Sequence, residues 1–369
     1  NYWNVLIGQG TYFDPSMIEN GTLRKYTGYT TDIITDLCLD WLKNRDQNKP
    51  FCLLCHHKAP HYICEPDDKH ENMYSNTIFP EPGNFNDNSK GRVYPKEIDW
   101  NISDLHIRFK NNPRWSNVPE ELTPVQRKSD NYQRFMKDML RTVASVDDNV
   151  GRLLDHLDKV GLRDNTIVVY VSDNGYFIGE HGWIDKKVPY DESIRTPLLV
   201  RFPERIKPGS VNDDFVLNTD FAPTLLDYAG VPIPAVMQGR SFRPLLEGRL
   251  PKDWRTSIYI QFYIINRFPY YGIRTKRYKL VYFYDEVNDW EFYDLAKDPD
   301  EINNAYSDPA YEDVITKLKS ELMNLRKEVH ITNELEQEFI EKSGSNVWRT
   351  DMKRYIDNKM IEWKGNSSQ

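Results

Sequence analysis

Asp173 and Asn174 stand side by side in the run Ser172-Asp-Asn-Gly175, directly after the apolar residues 167–171. A carboxylate and a side-chain amide in that position offer two adjacent oxygen donors, the ligand type that suits a hard cation such as calcium or magnesium. Further along come Lys186 and Lys187, then Tyr190, Glu192 and Arg195, and then a second apolar run at 198–200. Cations on a loop that returns towards a metal-bearing strand end suit an anionic group, a sulfate or phosphate ester. Asp-Asn-Gly is also ordinary turn chemistry, so a strand, a turn and a charged surface loop is the plainer reading of the same residues. A second polar run, His56-His57-Lys58-Ala59-Pro60-His61, follows the apolar residues 51–55. An imidazole there could hydrogen-bond or transfer a proton near neutral pH, although most histidines on such loops are exposed or structural.

These residues need elements to position them. Residues 167–171 are apolar on both faces and predict a buried parallel strand, which would put Ser172 to Gly175 at the strand end where open α/β sheets bind ligands. Upstream, Ile33, Ile34, Leu37, Cys38, Trp41 and Leu42 recur at helical spacing after a Thr30-Thr31-Asp32 start signal, and Lys49-Pro50 stops the element. Residues 51–55 predict a second buried strand. The stretch 62–128 is polar and irregular, with Trp100 and Trp115 scattered through it, and reads as an insertion over the active-site face that helps choose the substrate. Phe135, Met139, Val143, Val146, Val150, Leu153, Leu157 and Val160 then step by fours and threes, so they predict a long core helix ended by Gly161. Asp147 and Asp148 within it read as a solvated helix face.

A short helix is predicted from Thr219-Asp220 to Gly230. From about Trp254 the period becomes two. Residues 257–263, 271–274, 278–284 and 291–294 predict four strands of an antiparallel sheet, and Val314, Ile315, Leu318, Leu322 and Leu325 a helix that covers it. The expected division is a main α/β domain over 1–250, a small C-terminal domain over 251–332 and a charged tail over 333–369.

At 369 residues the chain can hold one large core and a smaller domain. A net charge of −8 argues against a general nucleic-acid binder, which needs clustered Lys and Arg on phosphates. No apolar run approaches the roughly 20 residues of a membrane span, and the first residues do not form a signal peptide. The four cysteines, Cys38, Cys52, Cys55 and Cys64, are too few for a disulfide-built fold. Cys52-Leu-Leu-Cys55-His56 matches a haem-attachment pattern, and the Cys and His cluster could suggest zinc. Strand alternation sets Cys52 and Cys55 on opposite faces, which favours small thiols in a core strand. The 23 Tyr and 9 Trp supply rings that can stack on sugars, a weak sign of a carbohydrate ligand.

Four pieces in this order, Val171-Ser-Asp-Asn-Gly, Gly179-Glu-His-Gly, Lys186-x-x-x-Tyr190 and Arg195-Thr-Pro-Leu, resemble the C-terminal half of the catalytic domain of type I sulfatases, in the alkaline phosphatase superfamily. The helix, strand and Pro60-His61 loop resemble that family too, as does His-Lys-Ala-Pro-His, which is similar to its glycan sulfatases. The resemblance implies an α/β fold, an alkaline-phosphatase-like sandwich around a mostly parallel sheet with a small C-terminal α+β domain. It implies a sulfuric ester hydrolase that removes sulfate from a sulfated mono- or oligosaccharide such as a glycosaminoglycan or mucin glycan, using Ca2+, less readily Mg2+, and a formylglycine. By the same match Asp173 and Asn174 would be metal ligands, and Lys186 would hold the sulfate and nucleophile oxygens. Lys186 is preferred to Lys187 because its spacing to Tyr190 fits the family pattern. His61 would donate to the ester or leaving-group oxygen. His181 would either contact the sugar or be structural, and Arg195 would tie the loop to neighbouring carboxylates.

The family makes its formylglycine from Cys or Ser in Cys/Ser-x-Pro-x-Arg. No cysteine here fits; Cys64 comes nearest, but Asp68 stands where Arg is required. The resemblance covers residues 1 to about 330 and only the later part of the family's length, so it implies a fragment that is inactive until an N-terminal segment completes the site. It also implies a periplasmic, secreted or lysosomal-type location. Two other readings share the scaffold: a phosphodiesterase or phosphonate hydrolase, and a non-catalytic glycan-binding or partner protein.

Overall fold

A computed structural model describes residues 1–93, 101–115, 117, 119, 121–262, 269–284 and 287–344. The chain forms two compact units, one from residues 1–81 and 102–166, the other from 82–101 and 167 onward.

In the first unit β1 (Asn4–Leu6), β2 (Ser16–Glu19) and β3 (Thr22–Lys25) form an antiparallel sheet in that order. The helix predicted from Ile33 is α1 (Thr30–Asn44), which starts at the Thr-Thr-Asp signal and ends before Lys49-Pro50. Its Ile33, Ile34 and Cys38 bury against Met17, with Leu6, Leu53 and Leu153 packed alongside. After a short α2 (Leu105–Arg108) comes α3 (Pro124–Lys159), which is longer than its apolar stripe suggests. Thr123 accepts from the Gln126 N–H, Gln126 reaches back to the Thr123 N–H, and Pro124 fills the first helical position. That reciprocal cap nucleates the helix inside the stretch expected to be irregular, so the insertion does not extend to residue 128. The helix ends as predicted, with Gly161 at φ 72°.

Residues 51–55 do not form the buried strand expected of them. They join no ladder among the described residues, and Leu54 is 70% exposed. An apolar run becomes a strand only where a neighbour takes up its backbone hydrogen bonds.

In the second unit β4 (Val168–Val171) is the strand predicted before the Asp-Asn pair, but its pairing is different. After the hairpin of β5 (Phe177–Ile178) and β6 (Ile184–Asp185) and the single turn α4 (Asp191–Ile194), the chain returns as β7 (Leu198–Arg201), antiparallel to β4 with Val169 opposite Val200. A parallel neighbour would need a crossover element that this link does not contain. The pair is also less buried than its composition suggests, with Tyr170 41% and Leu199 66% exposed.

The predicted short helix is α5 (Phe221–Tyr228), followed by α6 (Arg243–Leu246). The antiparallel sheet is present as predicted: β8 (Ser257–Phe262), β9 (Tyr270–Thr275), β10 (Tyr278–Phe283) and β11 (Asp289–Asp294), with sequence neighbours paired throughout. One face buries Ile273, Leu280 and Phe292 under Ile315, Leu318 and Leu322 of α7 (Glu312–Glu328). The other face, with Tyr270, Val281, Phe283 and Tyr293, packs on Phe177, Trp183, Val188 and Tyr190. Because both faces are apolar, the sheet takes the loop of residues 177–190 as its second cover, and the structure draws no boundary at residue 250.

Part of the predicted tail is ordered: Arg326 pairs with Glu336 of α8 (Asn333–Gly344) at 2.8 Å. Residues 345–369 of that tail, Trp100 and Tyr263 lie outside the described residues. No helix among the described residues is long and apolar enough to cross a membrane.

Candidate active site

β4 delivers the Asp-Asn pair onto a tight loop. Ser172 Oγ donates to the Asn174 carbonyl at 2.8 Å, and Asn174 Nδ2 donates to the Gly175 carbonyl at 2.7 Å, which turns the amide oxygen the other way. Asp173 is exposed. The Gly175 N–H donates to the Ser193 carbonyl at 2.9 Å, which pins the loop to α4. Asp173 and Asn174 therefore fit a hard cation in kind. They do not complete a site: calcium takes about six to eight oxygens, and no group of three or more His, Cys, Asp or Glu among the described residues could hold a metal.

The returning loop separates the two lysines. Lys187, at φ 84°, places its ammonium 3.5 Å from Asp185, whose carboxylate oxygens are buried without a hydrogen bond. Lys186 has no carboxylate partner among the described residues; its ammonium lies 5.9 Å from the centre of the Tyr176 ring. Of the two cations Lys186 is thus the one left unneutralised, on the same loop system as Asp173 and Asn174.

Beneath them the loop is tied to the C-terminal sheet by buried charges. Tyr190 is fully buried and donates to Glu291 at 3.0 Å. Lys279 lies 2.6 Å from Asp191 and 2.7 Å from Glu301, and Arg274 lies 2.9 Å from Asp191. Burial works to raise the Asp191 pKa, yet Lys279 and Arg274 hold it well below the usual carboxylate range. Burial pushes Glu301 up to about 7 against the pull of Lys279. Arg195, expected to make this tie, is exposed and forms no ion pair among the described residues; Arg274 makes the tie from β9.

Glu192, on α4, is also pushed up to about 7 by burial, with Glu301 and Glu180 nearby, and its Oε2 has no hydrogen-bond partner. Because the folded state holds this proton more tightly than the unfolded chain, whose ordinary value is 4.5, its contribution is complete below about pH 4.5 and is lost as pH rises through 7. Glu192→Gln is therefore expected to be more stable than the parent by about 2 kcal/mol at pH 8, with the gain vanishing near pH 4. Thermal melts of both proteins across that range check it, and a pH-independent difference would refute it.

His181 is not placed to meet a substrate. It is 2% exposed, in a left-handed conformation at φ 57°, with Nδ1 2.9 Å from Asp87 and 2.9 Å from Arg92 and Nε2 3.4 Å from Asn84. Burial, with Arg92 adding to it, lowers its pKa to about 3, so it is a neutral core imidazole. Of its two expected roles the structure supports the structural one. Asn84, Asp87 and Arg92, none singled out by sequence, anchor residues 82–93 of the insertion onto this loop; Arg92 pairs with Asp87 and also donates to the Glu301 carbonyl at 3.2 Å. The only sequence signal was an Arg among short polar residues.

His61 belongs to the other unit. Its Nδ1 is 2.7 Å from the Tyr62 carbonyl and its ring stacks on Tyr62 at 4.9 Å. A carbonyl only accepts, so Nδ1 carries the hydrogen and Nε2 bears a proton only in the imidazolium. The Tyr12 hydroxyl donates to the His61 carbonyl at 2.5 Å and fixes the loop. His57 is held inside, with Nε2 3.0 Å from Thr35 Oγ1 and its pKa lowered to about 4 by burial.

Residues 4–231 match the family model of the sulfatases, and residues 179–328 that of the C-terminal part of N-sulphoglucosamine sulphohydrolase. The chain belongs to the sulfatase family, the type I sulfatases of the alkaline phosphatase superfamily. It is 40% identical to an N-acetylglucosamine-6-O-sulfatase of Bacteroides thetaiotaomicron, over 89% of this chain and 66% of that protein. It is 30% identical to the N-acetylglucosamine-6-sulfatase of Capra hircus, over 71% of this chain and 44% of the relative. The chain thus spans from under half to about two thirds of the length of these relatives. Among solved structures, one in complex with its substrate D-glucosamine-2-N,6-O-disulfate superposes with a TM-score of 0.82 at 38% identity, over 89% of this chain and 76% of that one. A phosphonate monoester hydrolase from Silicibacter pomeroyi, at 24% identity and a TM-score of 0.63, shares the fold.

Proposed function

We propose that the protein carrying this chain hydrolyses a sulfate ester on a glucosamine-type sugar, with the 6-O-sulfate of an N-substituted glucosamine as its substrate class. The observation that carries this reading is Lys186: a cation without a carboxylate partner among the described residues, on the loop that follows the Asp173-Asn174 oxygen pair. The names of the similar proteins support the sugar and the position.

In this reading Lys186 binds and orients the sulfate oxygens and stabilises the charge that builds on them. His61, whose Nδ1 hydrogen is committed to Tyr62, is assigned the acid role by the family resemblance. As an imidazolium it donates to the bridging oxygen while the bond to sulfur breaks, and the hydroxyl of the sugar leaves with that proton. A calcium ion held in part by Asp173 and Asn174, together with a formylglycine, would supply electrostatic stabilisation and the attacking oxygen. The nucleophile is assigned to sequence outside these 369 residues, since no Cys or Ser among them begins a Cys/Ser-x-Pro-x-Arg run. An extracytoplasmic location is part of the same proposal.

The test is desulfation of N-acetylglucosamine-6-sulfate by the longer protein. Lys186→Ala is expected to lower kcat/KM about 10^2- to 10^3-fold, whereas Lys187→Ala, whose ammonium already answers Asp185, should change it only several-fold. The reverse ranking would remove the assignment. Turnover of a phosphonate ester in place of the sulfate would move the protein to the related phosphoryl chemistry, and turnover of neither would leave a non-catalytic scaffold.

A further inference from the structure

One residue that no motif singles out touches both the oxygen-donor loop and the lysine loop of the second unit. Ser193, on α4, is buried. Its carbonyl accepts the N–H of Gly175, the residue after the Asp173-Asn174 pair, at 2.9 Å. Its Oγ accepts the N–H of Lys187, the residue after Lys186, at 3.0 Å. Its own N–H donates to the carbonyl of the buried Tyr190 at 2.9 Å, so Ser193 is itself fixed from below. The segment it holds is bent on both sides of Lys186. Asp185 stands at φ 77° and Lys187 at φ 84°, left-handed conformations that a non-glycine residue keeps only where its surroundings impose them. Before Lys186 the chain is held by β6, where Ile184 and Asp185 pair with Ile178 and Phe177. After it the holds are the Lys187 ammonium, 3.5 Å from the buried Asp185, and the Lys187 N–H on Ser193 Oγ. Lys186 between them is half-buried, with its ammonium 5.9 Å from the centre of the Tyr176 ring, next in the chain to Gly175.

We propose that Ser193 is a positioning residue whose hydroxyl sets Lys186 in register with the Asp173-Asn174 loop, an assignment that rests on the sulfate-ester reading of Lys186. The bends at Asp185 and Lys187 decide where the Lys186 side chain starts, and Ser193 Oγ supports the second of them. The same residue holds Gly175 through its carbonyl, so one rigid turn spaces the cation from the oxygen pair. Removing Oγ leaves the Lys187 N–H without its acceptor and the left-handed conformation without that support, and Lys186 moves out of register. The Gly175 bond is made by backbone and stays. Ser193 touches neither ester nor metal in this account; it acts through Lys186. A shift of about 1 Å in such a group is enough to cost on the order of 10^2-fold in rate.

The experiment compares the longer protein with its Ser193→Ala variant by affinity for inorganic sulfate and by kcat/KM on N-acetylglucosamine-6-sulfate, the latter also with Lys186→Ala in both. The expected result is a sulfate affinity lowered roughly five- to ten-fold and a kcat/KM lowered roughly 10- to 100-fold. The loss in kcat/KM should shrink to about two-fold or less where Lys186 is already alanine, because the two side chains act as one unit. A merely structural serine would lower kcat/KM by the same factor in both backgrounds, and that result overturns the proposal. So does a Ser193→Ala variant within about two-fold of the parent in both measurements. A parent that binds sulfate but leaves the sugar sulfated removes the sugar-sulfate reading, and sulfate affinity alone then decides the role of Ser193. A parent that binds no sulfate overturns both. Should Ser193→Ala not fold, Ser193→Cys, a weaker acceptor of similar size, is judged by the same outcomes.

Discussion

Gly175→Ala is expected to destabilise the second unit by more than about 3 kcal/mol. A Cβ built on Gly175 falls 2.1 Å from the Glu192 carbonyl oxygen, 2.6 Å from that of Arg195 and 2.9 Å from the Glu192 carbonyl carbon. All three are backbone atoms at the end of α4, so no rotamer change relieves the clash. To admit the methyl group the loop of residues 172–175 and α4 must part, and the Gly175 N–H bond to the Ser193 carbonyl breaks with them. The damage would spread, because the chain entering α4 is fixed from below by Tyr190 on Glu291 and by Asp191 in its cluster with Lys279 and Arg274. Gly151 is the control. It lies within α3 with nothing within 4 Å of its built Cβ, so Gly151→Ala should stabilise by about 0.5–1 kcal/mol. Urea unfolding of the two variants measures the contrast, and equal midpoints would refute the close approach seen here.

The glycine shows where sequence reasoning stops. Asp-Asn-Gly was legible as a turn or a metal loop, since its residue types announce oxygen donors. That the third residue must lack a side chain was not, because the atoms it would strike lie on a helix that nothing local connects to it. The same division holds elsewhere. The four C-terminal strands could be read to within a residue or two because their aromatic and β-branched runs are bounded by turn residues, and α7 because it lays a single apolar stripe on one face of the sheet. Residues 51–55 and β4 misled for the complementary reason: apolar composition predicts burial, but pairing and direction depend on which neighbour is present and on what the connection permits. Of the candidate site, the Lys186 preference rested on spacing and gains support from the Lys187–Asp185 pair. His181 was ambiguous because Asn84, Asp87 and Arg92, which enclose it, come from a segment whose own pattern shows nothing.

Asp173→Ala in the longer protein is expected to lower turnover of a 6-sulfated glucosamine by 10^3-fold or more while leaving the fold nearly untouched. The structural cost should be within about 0.5 kcal/mol, as for other surface changes. Asp173 is exposed, and among the described residues its side chain meets only a 3.5 Å approach from Ser172 Oγ. That separation of effects is what makes the residue diagnostic. A buried carboxylate such as Glu291 would take the fold with it, and activity alone could not tell the two apart. Asp173 should instead act through a cation, so a second readout follows. A cation at a hundred times its dissociation constant stabilises the folded state by about 2.7 kcal/mol, and that increment should disappear in the variant. Thermal melts of parent and variant with calcium and with chelator measure it without reference to turnover. If the calcium-dependent shift survives Asp173→Ala, the oxygen pair after β4 is not the cation site. If the shift is lost and turnover persists, the metal is structural and the chemistry belongs to other residues.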